Sequence, residues 1–391
     1  MINNKNSESY PYCFPVYYAL NFMATAVFGV FMPIYLKSLN YNNGQIGVLL
    51  ALGSFVALIA QPIWGVASDR AKTKNSILLF LLFISNAIII LFRLSTNYYY
   101  IFAMMIILAF FQTPINAISD AITLEHMAGT RWKFGPIRFA GTMGYACISV
   151  VAGIMVKKNI NGIFFLSFII GLFVFVVSFS MPRIQGHQSK GNKISIMQLF
   201  KNRELIILVF FTVTVHITLS FYNAFFSIYY KDMGGDSTLL GWAIFIASVS
   251  EVFFLFKGDK IIEKLGIRYT LLGAAIIAVI RWLLLGFASN IYIVLIMQVM
   301  HGFIFIVLSY SMANYINKEV PKELKASGQT FNSVITSGLS KLIGNIGGGM
   351  LSDIIGIRKV FFLCSIIILF SIAVFYGIFI KNVKRNQSID A

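Results

Sequence analysis

The stretch GVASDRAKTK, residues 65–74, sits between two long apolar runs and carries an acid and three bases in ten positions. What flanks it decides how it reads. Of the 391 residues 58% are hydrophobic and only 12% are charged, half the ~25% of soluble domains. Mean hydropathy is +0.81. A soluble core does not require so much apolar surface, whereas a membrane span consumes ~20 apolar residues. The chain therefore reads as an integral membrane protein, and residues 65–74 as a turn between spans.

Working outward, twelve apolar segments follow one another: near 12–36, 44–67, 76–94, 98–124, 137–156 and 161–182, then 204–230, 238–256, 269–288, 291–316, 327–350 and 359–380. Period-two alternation is absent, which argues against a barrel. The first run is too long for the apolar core of a signal peptide and lacks a small-residue cleavage site, so it is expected to stay as a helix. The longest polar stretch, RIQGHQSKGNKISIMQLFKNRE, falls between segments six and seven. It predicts a six-helix bundle over 1–182, a cytoplasmic linker over 183–203 and a second six-helix bundle over 204–391.

The bases fix an orientation. With both termini inside, the inner loops and ends hold 21 Lys and Arg, the outer loops seven, and three lie within spans. That bias predicts cytoplasmic termini in a cell membrane. It also accounts for the net charge of +17 without a nucleic-acid partner. The three Cys and four His have no disulfide or metal-ligand spacing. No phosphate-binding loop or catalytic triad is present, so no metal, cofactor or enzymatic centre is expected.

Residues 65–74 return in altered form. FKGDKIIEKLGIRYTLL follows segment eight, with Asp259 placed 190 residues after Asp69, and GGGMLSDIIGIRKVFF follows segment eleven. Two repeated halves with a site between them is a common plan of secondary transporters. Gly65, Asp69, Arg70 and Lys74 read either as an ordinary positive-inside loop or as a built element. In the second reading Gly65 permits close helix approach.

Charges inside the spans carry the chemistry, because each costs about 2.5–3.5 kcal/mol to insert. On segment four Gln112, Asn116 and Asp120 recur every fourth residue; on segment five Arg138, Thr142, Tyr145 and Ser149 share a face. Two polar stripes in lipid imply a wet cavity or a bundle interior. There Asp120 and Arg138 either form a structural ion pair or present acceptors and a five-donor fork to a hydroxyl-rich ligand, with Tyr145 as an aromatic platform. Glu251, Arg281, His301 and Lys341 are isolated charges in segments eight to eleven, as ion paths or proton relays use. Burial and pairing pull a group's proton affinity in opposite directions, the competition a proton-coupled switch requires. His216 shares a face with Ser220 and Asn223, either lining the cavity or capping a helix contact. Tyr17, Asn21 and Thr25 form a further stripe on segment one, and Gly344, Gly347, Gly348 and Gly349 allow segment eleven to pack closely or bend.

Gly-x-x-x-Asp-Arg-x-x-x-Lys after the second of twelve spans resembles the signature of the major facilitator superfamily, where this loop is a conformational latch. An acid eighteen residues before the Arg of FGxxRxxGxxG-aromatic (134–145) looks like its lactose-permease branch, the oligosaccharide:proton symporters. The resemblance implies a twelve-helix bundle of two pseudo-symmetric halves, usually working as one chain by alternating access. It implies sugar binding by Asp120 and Arg138 with stacking on Tyr145, help from Glu251, and a relay through Arg281 and His301. The family's lactose transporter has Glu and Trp where this chain has Asp120 and Tyr145. Its proton-carrying Glu falls at Ile304 here, and its helix-eleven Lys at Ser337, one turn from Lys341. Glu251 or Asp120 must then take the proton, or coupling is absent. The expectation is proton-coupled uptake of a sugar or similar polyhydroxylated solute; the alternative is a transporter of an aromatic acid, a nucleoside or a drug, including export.

Overall fold

In the computed structural model, the described residues are 10–387 other than Gly129, 186–201 and 322–323, so most of the expected linker lies outside them. Among them ten helices of 18 to 31 residues are long and apolar enough to cross a membrane. They are α1 (Cys13–Ser38), α2 (Asn43–Arg70), α3 (Lys74–Leu91), α4 (Tyr98–Met127), α5 (Phe134–Lys158), α7 (Arg203–Asp232), α8 (Ser237–Leu265), α9 (Ile267–Phe287), α10 (Ile291–Glu319) and α12 (Ile357–Gln387). Two more complete the expected twelve: α6 (Gly162–Ser178), one residue short of that length, and α11 (325–355), broken by wide π turns. The all-helical membrane fold expected from the apolar runs is borne out.

Side-chain placement follows the membrane solvent. Phe55, Ile59, Ile63 and Val66 stay exposed along one stripe of α2, spaced to face lipid tails. The opposite composition occurs on α7, whose Phe221, Phe225, Tyr229 and Tyr230 are fully enclosed. Asn97, Asn202 and Asn290 cap α4, α7 and α10, each accepting from a backbone N–H of the first turn. The α8–α9 and α11–α12 junctions each turn at one glycine, Gly266 (φ 76°) and Gly356 (φ 84°), where a side chain would be strained. These glycines occupy the same place in the two later copies of the repeated loop.

The chain forms two compact units. Unit 1 holds residues 1–41, 49–191 and 235–248; unit 2 holds 42–48, 192–234 and 249–391. In unit 1, α1 packs on α5 and α6, and α3 on α4 and α6. In unit 2, α12 packs on α9 and α7. The starts of α2 (43–48) and α8 (237–248), equivalent in the repeat, thus belong to the unit that does not hold the rest of the helix.

Several small residues do what small residues suggest, and one does not. A Cβ on Gly344 would strike the Ile217 carbonyl, and one on Gly348 the Phe221 ring. Gly65 was expected to admit a neighbouring helix, yet nothing lies within 4 Å of where its Cβ would be. Close approach occurs instead at Gly47, against the Asn345 carbonyl within unit 2.

Candidate translocation site

Pro114 removes one backbone N–H from α4 just before its polar turn. Beyond it Asn116 is exposed, and Asp120 is half-buried. Asn116 Oδ1 accepts from Asn21 Nδ2 at 2.8 Å. Asp120 Oδ1 accepts from the Tyr18 hydroxyl at 2.6 Å.

Across from α4, α5 places Arg138, Thr142 and Tyr145 half-buried on one face. The Arg138 guanidinium lies over Phe22 at 3.9 Å and over Tyr18 at 5.5 Å from the ring centroids. Gly141 leaves room for this stack, since a Cβ there would meet the Phe22 ring at 3.0 Å and Arg138 Nη1 at 3.3 Å. A direct Asp120–Arg138 ion pair, one expectation from the sequence, is not formed. Tyr18 mediates instead, bonding the acid through its hydroxyl and the base through its ring. Arg138 keeps its N–H donors unclaimed among the described residues, and Asp120 keeps one carboxylate oxygen.

Unit 2 assembles a second cluster. Met297–Phe303 is wound as a 3-10 helix within α10, which eclipses residues three apart. Gln298 and His301 therefore both face Arg281 on α9. Arg281 is fully buried; its Nη2 donates to Gln298 Oε1 at 2.8 Å, and Nη1 lies 3.0 Å from His301 Nδ1. Guanidinium nitrogens only donate, so Nδ1 accepts and the neutral ring carries its proton on Nε2. That nitrogen stands 3.6 Å from Glu251 Oε1. Gln298 Oε1 also accepts from the Tyr222 hydroxyl at 2.5 Å, and the Tyr222 ring lies under Arg281 at 4.2 Å. Gly302 brings α10 onto the α8 backbone, its N–H donating to Ser250 Oγ at 2.9 Å.

Glu251, Arg281 and His301, isolated in the sequence, are thus one chain of contacts. Lys341 does not join it. It is exposed on α11 between two π turns and makes no hydrogen bond or ion pair among the described residues. His216 is buried, with Nδ1 2.9 Å from the Thr212 carbonyl of its own helix, while Asn223 is exposed. In the α2–α3 turn Lys74 is buried, bonded to Glu125 and 3.7 Å from Asp69; Arg70 is exposed.

Sequence reasoning missed Tyr18, Phe22, Gln298, Tyr222 and Glu125. Phe14, Tyr18 and Phe22 recur every fourth residue on α1, a signal hidden by the overall aromatic excess. Gln298 lies three residues before His301 but carries no charge.

Ten membrane-length helices and two shorter or broken ones among the described residues, ionisable side chains inside them and a repeated loop define a multi-pass membrane transporter. Comparison with known proteins agrees. The model of the MFS_1 like family matches residues 14–363, and the chain belongs to that family, in the lactose-permease-like branch of the major facilitator superfamily. It is 24% identical to the uncharacterized transporter YwbF of Bacillus subtilis (strain 168), over 95% of this chain and 93% of that one. It is also 24% identical to a maltose permease of Geobacillus stearothermophilus, over 90% and 91%. The crystal structure of nucleoside transporter NupG shares its fold, with a TM-score of 0.83, 16% identity and coverage of 94% and 98%.

Proposed function

We propose that the chain takes up a sugar or similar polyhydroxylated solute together with a proton, by alternating access of its halves 1–182 and 204–391. The observation that carries this reading is the Asp120–Tyr18–Arg138 arrangement. It offers an acceptor, an unclaimed fork of donors and, at Phe22, an aromatic ring on half-buried surface, the set that alternating hydroxyls and C–H faces of a sugar engage. Asn116, Thr142 and Tyr145 extend it along the same helix faces. The maltose permease among the relatives supports the substrate class.

Glu251 carries the proton, with His301 and Arg281 behind it. His301 presents N–H, not a lone pair, to Glu251, so the acid is the group free to gain and lose a proton. Ile304 occupies the place of the family's usual acid, is fully buried, and offers no alternative. Lys341 supplies a further exposed positive charge on α11, and Gly65, Asp69, Arg70 and Lys74 latch the inner loop. Orientation with both termini in the cytoplasm of a cell membrane follows from the Lys and Arg bias. A nucleoside is the second reading, favoured by the half-buried Phe22 ring as a stacking surface for a base.

Purified protein in vesicles, with an internal pH dye and a panel of hexoses, disaccharides, nucleosides and aromatic acids, tests both. Sugar-dependent acidification of the interior is expected. Movement of nucleosides alone replaces the first reading with the second, and solute movement without a pH change removes the coupling.

A further inference from the structure

Unit 1 contains a cavity of about 40 Å³ between α1, α3, α4 and α6 that neither cluster explains. Its polar lining is Asn21, Thr25, Asn86, Gln112, Asn116 and Ser167, together with Ser85. Thr25 and Asn116 are exposed at the rim, while Asn86 and Ser167 are 6% and 0% exposed at the floor. Rim residue Asn116 lies one helical turn from Asp120, so the cavity opens from the solute face of α4.

Two floor atoms lack partners. Asn86 Oδ1 and Ser167 Oγ are buried without a hydrogen bond. A buried unpaired acceptor costs ~1–3 kcal/mol, so such atoms mark a place for an occupant. Gly171 makes the arrangement possible, because a Cβ there would collide with Asn86 Oδ1.

The lining selects the occupant's chemistry. No ionisable side chain borders the cavity, and an ion in this low-dielectric interior would have no counter-charge. Amides and hydroxyls supply both donors and acceptors, which suits a neutral group that also does both. Volume sets the size: a water needs ~10–15 Å³ on this measure, so the space takes a few waters or one hydroxyl-bearing arm, and no whole ring. Resting on the sugar reading above, we propose that the cavity is a hydroxyl-arm subsite. One uncharged hydroxyl or hydroxymethyl group of the solute enters past Asn116 and donates to Asn86 Oδ1. Ser167 completes its hydrogen bonding, while the rest of the solute stays at Asp120 and Arg138.

The test uses the full chain in vesicles, the best-transported sugar of the panel, and its monodeoxy analogues. Asn86→Leu and Ser167→Ala are each expected to raise KM for the parent sugar roughly tenfold, the value of one well-placed hydrogen bond. For the single analogue that lacks the engaged hydroxyl, variants and wild type should have equal KM. Gly171→Ala, which displaces the Asn86 amide without removing it, should reproduce the pattern. Losses equal across all analogues, or no loss, overturn the subsite and leave a cavity filled by ordered water. Should Asn86→Leu fail to insert, Ser167→Ala still decides, since it removes one oxygen and little volume. A wild type that moves no hydroxylated solute ends the sugar reading, and the subsite with it. A wild type that moves sugars while the variants show no analogue dependence ends the subsite alone.

Discussion

Arg138 in unit 1 and Arg281 in unit 2 both rest on aromatic rings, 3.9 Å from Phe22 and 4.2 Å from Tyr222. Their surroundings differ. Arg281 is fully buried and spends both terminal nitrogens on Gln298 and His301. Arg138 is half-buried and spends none, its nearest acid being held by Tyr18. A buried charge whose two terminal nitrogens are both engaged is a fixture, and removing its partners is costly. A half-buried charge with idle donors has bonds to offer a ligand. On the proposed function, the contrast suits solute recognition in unit 1 and proton handling in unit 2, although both began as lone charges in apolar runs.

The largest expected effect breaks the solute side. Arg138→Ala should lower uptake at least 100-fold while leaving the protein in the membrane, since no internal hydrogen bond is lost. Radiolabelled uptake alongside membrane immunoblotting measures both. Arg138→Lys should recover little, because an ammonium lacks the planar fork and its stack on Phe22. Normal uptake by Arg138→Ala would make the arginine a bystander and dissolve the comparison.

Next in size is Glu251→Gln. The side chain keeps its shape and can still meet His301, but it cannot carry a proton. Accumulation against a gradient should fall to equal concentrations on both sides, whereas exchange of labelled for unlabelled solute continues. Continued accumulation would move the proton to another group, with Asp120 the remaining acid in a polar cluster. Loss of exchange as well would place Glu251 on the solute, merging the two roles.

Tyr18→Phe sharpens the unit 1 geometry. It deletes the 2.6 Å bond to Asp120 and preserves the ring near Arg138. A rise in KM of roughly three- to tenfold is expected, as for one hydrogen bond to a carboxylate partly replaced by water. A change confined to kcat would mean that Tyr18 acts in the moving step.

What the sequence disclosed follows from what each signal costs. Apolar length and the loop bias of Lys and Arg are set by the bilayer itself, so helix number was legible without packing information. Lone charges in lipid are costly enough to stand out, which is why Asp120, Arg138, Glu251, Arg281 and His301 were all legible as candidates. Their partners were not. Tyr18 and Phe22 look like any aromatic residue in a chain with 38 Phe and 18 Tyr, because lipid and a guanidinium favour the same rings. Gln298 is neutral, and its alignment with His301 depends on a 3-10 turn that no periodicity announces. Gly65 misled for the converse reason: a glycine records permission for close approach, and only the neighbour shows whether it is used.

The smallest effect lies on the surface of unit 1, at the other extreme of burial. Lys157 Nζ donates to Asp236 Oδ2 at 2.8 Å, with the two side chains 59% and 37% exposed. Asp236 also caps α8, its Oδ1 accepting from the Leu239 N–H at 2.8 Å. The Lys157 hydrogen bond, then the Leu239 N–H, hold this carboxyl below its ordinary 3.8. A depressed acid contributes stability at neutral pH, and the contribution is lost as pH falls below about 4 through the lowered value. Solvent screening at this exposure limits the ion pair to ~0.5 kcal/mol or less. Asp236→Asn keeps a capping oxygen and loses only the charge, so its unfolding midpoint should nearly match wild type at pH 7. Asp236→Ala loses the cap too and should cost ~1 kcal/mol. Thermal unfolding in detergent at pH 7 and pH 3.5 separates the terms: the wild-type advantage over Asp236→Asn should shrink at the lower pH, and that over Asp236→Ala should shrink by the same amount and keep the remainder that belongs to the cap. An Asn variant as damaged as the Ala variant would mean that a surface charge here does what only buried charges do elsewhere in the molecule.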